Sequence, residues 1–240
     1  MSTAGELFTI VTDDYLDDSV TNDQGWSEAF AFRAINEAQK QSCNRSKLIY
    51  DDTTTAICEI TLVNGQSSYS ISELITDIEY VSFEGLEITQ KTKDEMKHAT
   101  PGWRTLTGMT DKTVNYVIRG KKIRFIPSPD ATDAGKKVYL EVYRLPKTTI
   151  TASGNTPEIP TEFHRDLIYW MLHEAYKKQD ADAYNQEKSD YWLNEFEIVF
   201  GKFVSAQVRA TILEQPRSMG LRTNAYTTNL NKTLSEEDWD

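Results

Sequence analysis

The chain has 240 residues and a formal net charge of −11, long enough for one large domain or two small ones with a real core. That charge argues against a stand-alone nucleic-acid binder, which needs a basic surface to displace counterions. No apolar run approaches the ~20 residues of a membrane span, and two cysteines, Cys43 and Cys58, read as reduced cytosolic thiols rather than a disulfide framework.

The opening stretch MSTAGELFTIVTDDYLDD is acidic and has no basic n-region, so no signal peptide is expected. Apolar residues from Trp26 to Gln41 recur at spacings of three and four, which predicts a helix capped by Asn22 or Asp23. A short link, 44–50, follows.

From Thr54 to Leu145 the period changes to two. TAICEITLV, Asn64-Gly65 and SSYSIS read as a hairpin, because Asn-Gly supplies the positive φ of a type I′ turn. DIEYVSFEG, LEIT and KVYLEVYRL extend the sheet, KTKDEMKHA reads as a short helix, and Trp103 follows a Pro-Gly turn. YVIRGKKIRFIPSPD reads as a second hairpin, with Gly120-Lys121 as a type II′ loop. Lys122 and Arg124 then share the face opposite Ile123 and Phe125, and Lys121 and Lys122 project from the tip toward a partner or solvent. The glycine spacing of a phosphate-binding loop is missing around Gly120 and Gly135.

The linker PKTTITASGNTPEIP leads to Thr161, a candidate N-cap, and to a helix from Glu162 to Lys178. QDADA breaks it. A second helix, Ala183 to Ala206, carries Tyr184, Tyr191 (or Trp192), Phe196, Val199, Phe200 and Phe203 as its apolar stripe. Two helices joined this closely should pack antiparallel. After Ser205 regularity fades. The remaining segment keeps Ile212, Leu213, Met219, Leu221 and Tyr226 as apolar anchors, with Arg209, Arg217 and Arg222 in a basic stretch before an acidic end. Such a pattern suits an arm that orders on a partner.

Catalytic signatures are sparse. His164 and His173 are nine residues apart and at ~100° per residue face opposite ways on one helix. His173 beside Glu174 reads as a helix-surface or interface pair, not an acid/base unit. Asp13-Asp14, Asp17-Asp18 and Asp51-Asp52 lack the glycine and terminal Glu of an EF-hand and read as solvated loop charge. No catalytic, cofactor or metal residue is assigned.

The order of elements resembles the phage head-to-tail adaptor family. Leu16, Asp17, Asp18, Trp26 and the Asn36-Glu37-Ala38 signature match its opening. Tyr116, Gly120, Ile123, Pro127 and Pro129 match its sheet insertion, and IPTEFHRDLIYWMLHEAY its entry into the paired helices. The likeness spans about residues 10 to 204.

The resemblance implies a helical bundle with a β insertion; with the alternating strands and the pattern after Ser205 read above, the fold expected is α+β, a helical bundle of the N-terminal helix and the C-terminal pair, an inserted antiparallel sheet, and an extended C-terminal arm. The divisions expected are 1–50, 51–150, 151–206 and 207–240. It also implies a ring, twelvefold like the portal, that binds portal and tail or nozzle proteins in the virion neck. DNA passes through without sequence-specific binding, no membrane is involved, and synthesis takes place in the host cytoplasm. Two other classes stay open: a nucleic-acid-binding module using the basic residues of 119–124 and 136–137, and a hydrolase whose acidic residues hold a metal.

Overall fold

A computed structural model describes residues 2–16, 26–178 and 184–215. In chain order the elements are α1 (Ala4–Thr9), a π-helical turn (Ile10–Tyr15), α2 (Glu28–Arg45), β1 (Tyr50–Asp51), α3 (Thr55–Cys58), β2 (Glu59–Thr61) and β3 (Ser68–Ser70). Then come β4 (Ile75–Phe83), β5 (Leu86–Glu87), β6 (Thr89–Gln90), α4 (Lys93–Ala99), a 3-10 turn (Trp103–Thr105), β7 (Asn115–Arg119), β8 (Lys122–Ile126) and β9 (Lys137–Arg144). A second 3-10 turn (Thr161–Phe163), α5 (Leu167–Lys177), α6 (Gln186–Phe200) and α7 (Ala206–Ile212) complete the order. The chain is α+β. It divides into a helical unit, Met1–Ile49 with Leu145–Phe203, and a sheet unit, Tyr50–Arg144 with the described residues from Val204 onward.

In the helical unit α1 starts at a capping box. Thr3 Oγ1 accepts from Glu6 N at 3.2 Å, and Glu6 Oε2 accepts from Thr3 N at 2.9 Å, which satisfies two orphan donors reciprocally. Two further N–H groups, of Ala4 and Gly5, donate to the carbonyls of Asn155 and Ser153. This element was not expected, although Thr-x-x-Glu announces it. α2 is capped by Ser27, whose Oγ accepts from Phe30 N at 3.2 Å; Asn22 and Asp23 lie outside the described residues. The buried face of α2 is largely small, with Ala31, Ala34, Ile35 and Ala38, which permits close approach of α5.

α5 starts five residues later than expected, because Thr161 opens a 3-10 turn and caps nothing. Its buried Leu167, Ile168, Met171 and Leu172 meet Phe196 and Phe200 of α6 in one core. The pairs Phe163–Phe200, Trp170–Phe196, Tyr169–Trp192 and His173–Ser189 run in opposite senses along the two helices, so the pair is antiparallel as expected. α6 stops at Gly201, where φ is +85°, a conformation that costs a Cβ-bearing residue more than glycine. Its last carbonyls are met from α2: Ser46 Oγ donates to Phe200 O at 2.8 Å and Arg45 Nη1 to Gly201 O at 3.2 Å. Asn36 of the expected signature has a structural task. Its Nδ2 donates to Ile150 O and its Oδ1 accepts from Ile150 N, both at 2.9 Å, tying the linker to α2.

The sheet unit holds two sheets around one core. One has the order β1-β9-β4-β5 with β2 also on β9; the other is β3-β8-β7-β6. Pairings are antiparallel except β6 with β7. Apolar side chains from both, among them Ile75, Val81, Val138, Leu140, Tyr116, Ile123 and Phe125, share one cluster.

The expected hairpin across Asn64-Gly65 does not form. β2 pairs with β9 and β3 with β8, so the turn carries the chain from one sheet to the other. Residues 55–58 are a helical turn, not strand. Long β9 and the β7–β8 hairpin offer more cross-strand pairs than two three-residue strands can offer each other. The second hairpin forms in the expected register, Arg119 opposite Lys122, with Gly120 at φ +58°. The arm is corrected in its first part: α7 occupies Ala206–Ile212 and Leu213 is buried in the sheet unit's core.

Candidate partner-binding surfaces

The inner faces of β7 and β8 enter the core, so alternation turns Val117, Arg119, Lys122 and Arg124 outward. α4 and the first 3-10 turn lie along this outward face. Thr92 and Glu95 form a second capping box, whose hydrogen bonds hold the Glu95 carboxyl below its ordinary range. Trp103 is buried, with the Arg104 guanidinium 5.1 Å and that of Arg124 5.5 Å from its ring, in cation–π range. The result is a groove of about 640 Å³ bordered by Lys93, Arg104, Arg119, Lys122, Arg124 and one acid, Glu214. Five cations against one anion stand out on a chain of net charge −11.

Glu214 reaches the groove from the segment after α7. Its Oε1 accepts from Gly120 N at 2.8 Å, and Leu213 O accepts from Gln90 Nε2 at 2.7 Å. Sequence reasoning found Arg119, Lys122 and Arg124 but missed Lys93 and Arg104. α4 and the Trp103 turn are distant in sequence, and only the fold brings them beside β7.

The other basic residues do not join this surface. Lys121 turns back from the tip, its Nζ donating to Ile75 O and to Glu73 O at 3.4 Å, and burial lowers its pKa. Lys136 pairs with Glu84 at 2.7 Å and Lys137 with Glu59; these hydrogen bonds raise both lysine pKa values. Of the expected anchors, Arg209 and Ile212 are half-buried and Leu213 is buried. Arg217, Met219, Leu221, Arg222 and Tyr226 lie outside the described residues.

A second surface lies on the helical unit. Tyr191, Ile198 and Val199 of α6 are 55%, 69% and 38% exposed, and Phe203 beyond it 41%. The expected stripe is therefore split. Phe196 and Phe200 are core and Trp192 is half-buried, while Tyr184, Tyr191, Val199 and Phe203 face outward. The segment carries more aromatic and aliphatic residues than its one buried face takes up, which the period alone did not resolve.

Polar groups picked out in the sequence serve the fold. His173 is buried, its Nδ1 2.9 Å from Ser189 O and its Nε2 3.9 Å from Glu174 Oε1, so of the two places expected for it, surface or interface, it takes the interface and joins α5 to α6. His164 precedes α5 and is buried, its Nε2 2.9 Å from Ile159 O. Asp51 is buried, not solvated. It pairs with Arg144 Nε and accepts from Thr53 N at 3.1 Å, Thr54 N at 2.9 Å and Thr54 Oγ1 at 2.7 Å. These bonds hold its carboxyl well below the ordinary range against the opposing pull of burial, the largest single influence.

Asp133, which the sequence did not single out, is also buried. It accepts from Met109 N, Thr110 N, Thr110 Oγ1 and Asp130 N. Asp17 and Asp18 lie outside the described residues. Among the described residues no group of three His, Cys, Asp or Glu is placed to hold a metal, and no helix is long and apolar enough to cross a membrane. Cys43 and Cys58 are both buried, and neither is in a disulfide.

An α+β scaffold with a charged groove and an uncovered apolar helix face is suited to docking other macromolecules. The family model of the SU10 adaptor protein matches residues 2–220, and the chain belongs to that family of phage head-to-tail adaptors. It is a bacteriophage virion component, and membership implies contacts with capsid or portal and with tail proteins. No curated protein matches the chain.

Proposed function

We propose that the chain is a non-enzymatic structural adaptor that assembles into a twelvefold ring below the portal, joins tail or nozzle proteins beneath it, and leaves a channel for DNA. The observation that carries the assembly is the outward face of α6, where Tyr191 and Ile198 sit seven residues apart and are 55% and 69% exposed. Two turns of helix bring such residues to one side, and apolar side chains this exposed gain by burial against a neighbour. A second copy is the occupant that a closed ring supplies. The net charge of −11 favours an acidic or neutral channel wall, along which DNA slides without being held. The segment beyond residue 215 serves as the arm toward portal or adjacent subunits, with Arg217, Arg222 and Lys232 as its cations and Met219, Leu221 and Tyr226 as its anchors.

The test is reconstitution with portal rings, followed by native mass spectrometry and electron microscopy. The intact chain should add as a ring of the portal's symmetry, and I198D should leave the monomer folded but abolish ring formation. A chain that stays monomeric on the portal, or an I198D variant that assembles normally, would overturn this reading. A channel wall lined mainly by Lys and Arg would refute the sliding surface.

A further inference from the structure

We propose that the basic groove of the sheet unit is a docking site for an acidic peptide, and that its occupant in the free chain is the chain's own segment 234–240, LSEEDWD. Three observations combine. Lys93, Arg104, Arg119 and Lys122 are exposed and Arg124 half-exposed around the groove, in a protein whose overall charge is strongly negative. Segment 234–240 carries Glu236, Glu237, Asp238 and Asp240 and no cation, the complement of the groove. The chain also arrives there, because Glu214 already places a carboxylate on the Gly120 N–H at 2.8 Å.

Arginine forks donate to carboxylates in bidentate geometry, and Arg104 and Arg119 present theirs at the rim. Reach is no obstacle. Residues 216–233 intervene, eighteen by subtraction, and at ~3.3–3.6 Å per residue they span up to roughly 60 Å. Tethering raises the local concentration of the segment to the ~mM range for a short connection, which favours it over a free competitor.

A nucleic-acid strand fits the groove less well. Single-strand sites present aromatic faces for base stacking, whereas Trp103 is 8% exposed and its ring is approached by two guanidinium groups. The acidic body also repels a polyanion that no tether holds.

The inference is independent of ring assembly and is tested on the free chain. Fluorescein-labelled LSEEDWD is titrated, with anisotropy readout, into the intact chain, a chain ending at Thr233, and that truncated chain carrying R104Q and R119Q. Hydrogen exchange of β7, β8 and α4 is compared between intact and truncated chains over a hundredfold dilution. The truncated chain should bind the peptide at least tenfold more tightly than the intact chain. R104Q/R119Q, both at exposed positions, should lose at least tenfold of that affinity with circular dichroism unchanged. The intact chain should show slower exchange at the groove, independent of dilution. Equal peptide affinity of intact and truncated chains, with identical exchange, would overturn the proposal. So would tighter binding of a labelled oligodeoxythymidine than of the peptide, which would make the groove a nucleic-acid site. Protection that disappears on dilution would overturn the intramolecular occupant in favour of a second copy.

Discussion

Replacing Asp51 by Asn tests what anchors the point where the sheet unit begins and ends. β1 pairs with β9 at Tyr50–Tyr143 and Asp51–Val142, so the first and last strand residues of the unit's main segment lie side by side. The Asp51 and Arg144 side chains are 4% and 7% exposed, a depth at which solvent screening is slight. Asn keeps an acceptor for the Thr53 and Thr54 N–H groups but removes the Asp51 negative charge from beside the Arg144 guanidinium. Removing one partner of a buried ion pair costs ~3–5 kcal/mol, and the retained hydrogen bonds place D51N near the lower end, ~3 kcal/mol. For a unit of this size each kcal/mol moves Tm by ~4–8 °C, so the sheet unit's transition should fall by roughly 10–25 °C. Calorimetry and urea titration followed by near-ultraviolet circular dichroism measure this.

The pH dependence has a definite sign. The folded Asp51 pKa lies below the ordinary 3.8, so its contribution is fully present above pH ~4 and is lost as pH falls toward the lower folded value. Asp133, also depressed by its hydrogen bonds against the opposing pull of burial, adds in the same direction. Wild type should therefore lose sheet-unit stability steeply below pH 4, and D51N should show a shallower loss. A D51N midpoint within ~0.5 kcal/mol of wild type at pH 7, or an unchanged acid slope, would refute the assignment of this pair as an anchor.

Leu167, fully buried between α5 and its neighbours, should cost ~2–5 kcal/mol when replaced by Ala, read as lower urea stability of the helical unit. Gly120 has φ +58° and open space where a side chain would begin. G120A should lose ~1–2 kcal/mol through backbone strain alone, with G120N less affected because Asn tolerates that conformation; equal losses would point to packing instead. Cys58 is buried, and burial with the neighbouring Asp51 pushes its thiol up to about 11. Iodoacetamide at pH 8 should leave Cys58 unlabelled in the folded chain and label it promptly in urea, as peptide mass mapping would record. N36A removes both hydrogen bonds to Ile150 and should raise amide exchange in residues 148–151 without unfolding α2.

Local pattern determined much of this protein. Helix periodicity in α2 and α5, alternation in β9 and in the β7–β8 hairpin, and Gly120 at the turn were all legible, because each is set by neighbours within a few residues. The ordered motifs around Asn36, Gly120 and Ile159-Pro160 carried the family resemblance that residues 2–220 bear out. Two local signals were present and unread: the Thr3-x-x-Glu6 capping box that starts α1, and Gly201, which ends α6 six residues before the expected boundary.

What tertiary structure decided depended on partners far apart in sequence. Asn64-Gly65 has the chemistry of a hairpin turn, yet β2 and β3 join different sheets because β9 and β8 outbid a local pairing of three residues. Whether a charge is solvated also depends on the fold. Asp51 looked like loop charge and became a buried pair only because Arg144 meets it from 93 residues away, while Lys121 found backbone carbonyls near Ile75 and left its neighbour Lys122 at the rim. The groove has the same origin: Lys93, Arg104, Arg119, Arg124 and Glu214 converge because strand pairing and the packing of α4 bring together segments that no sequence window contains.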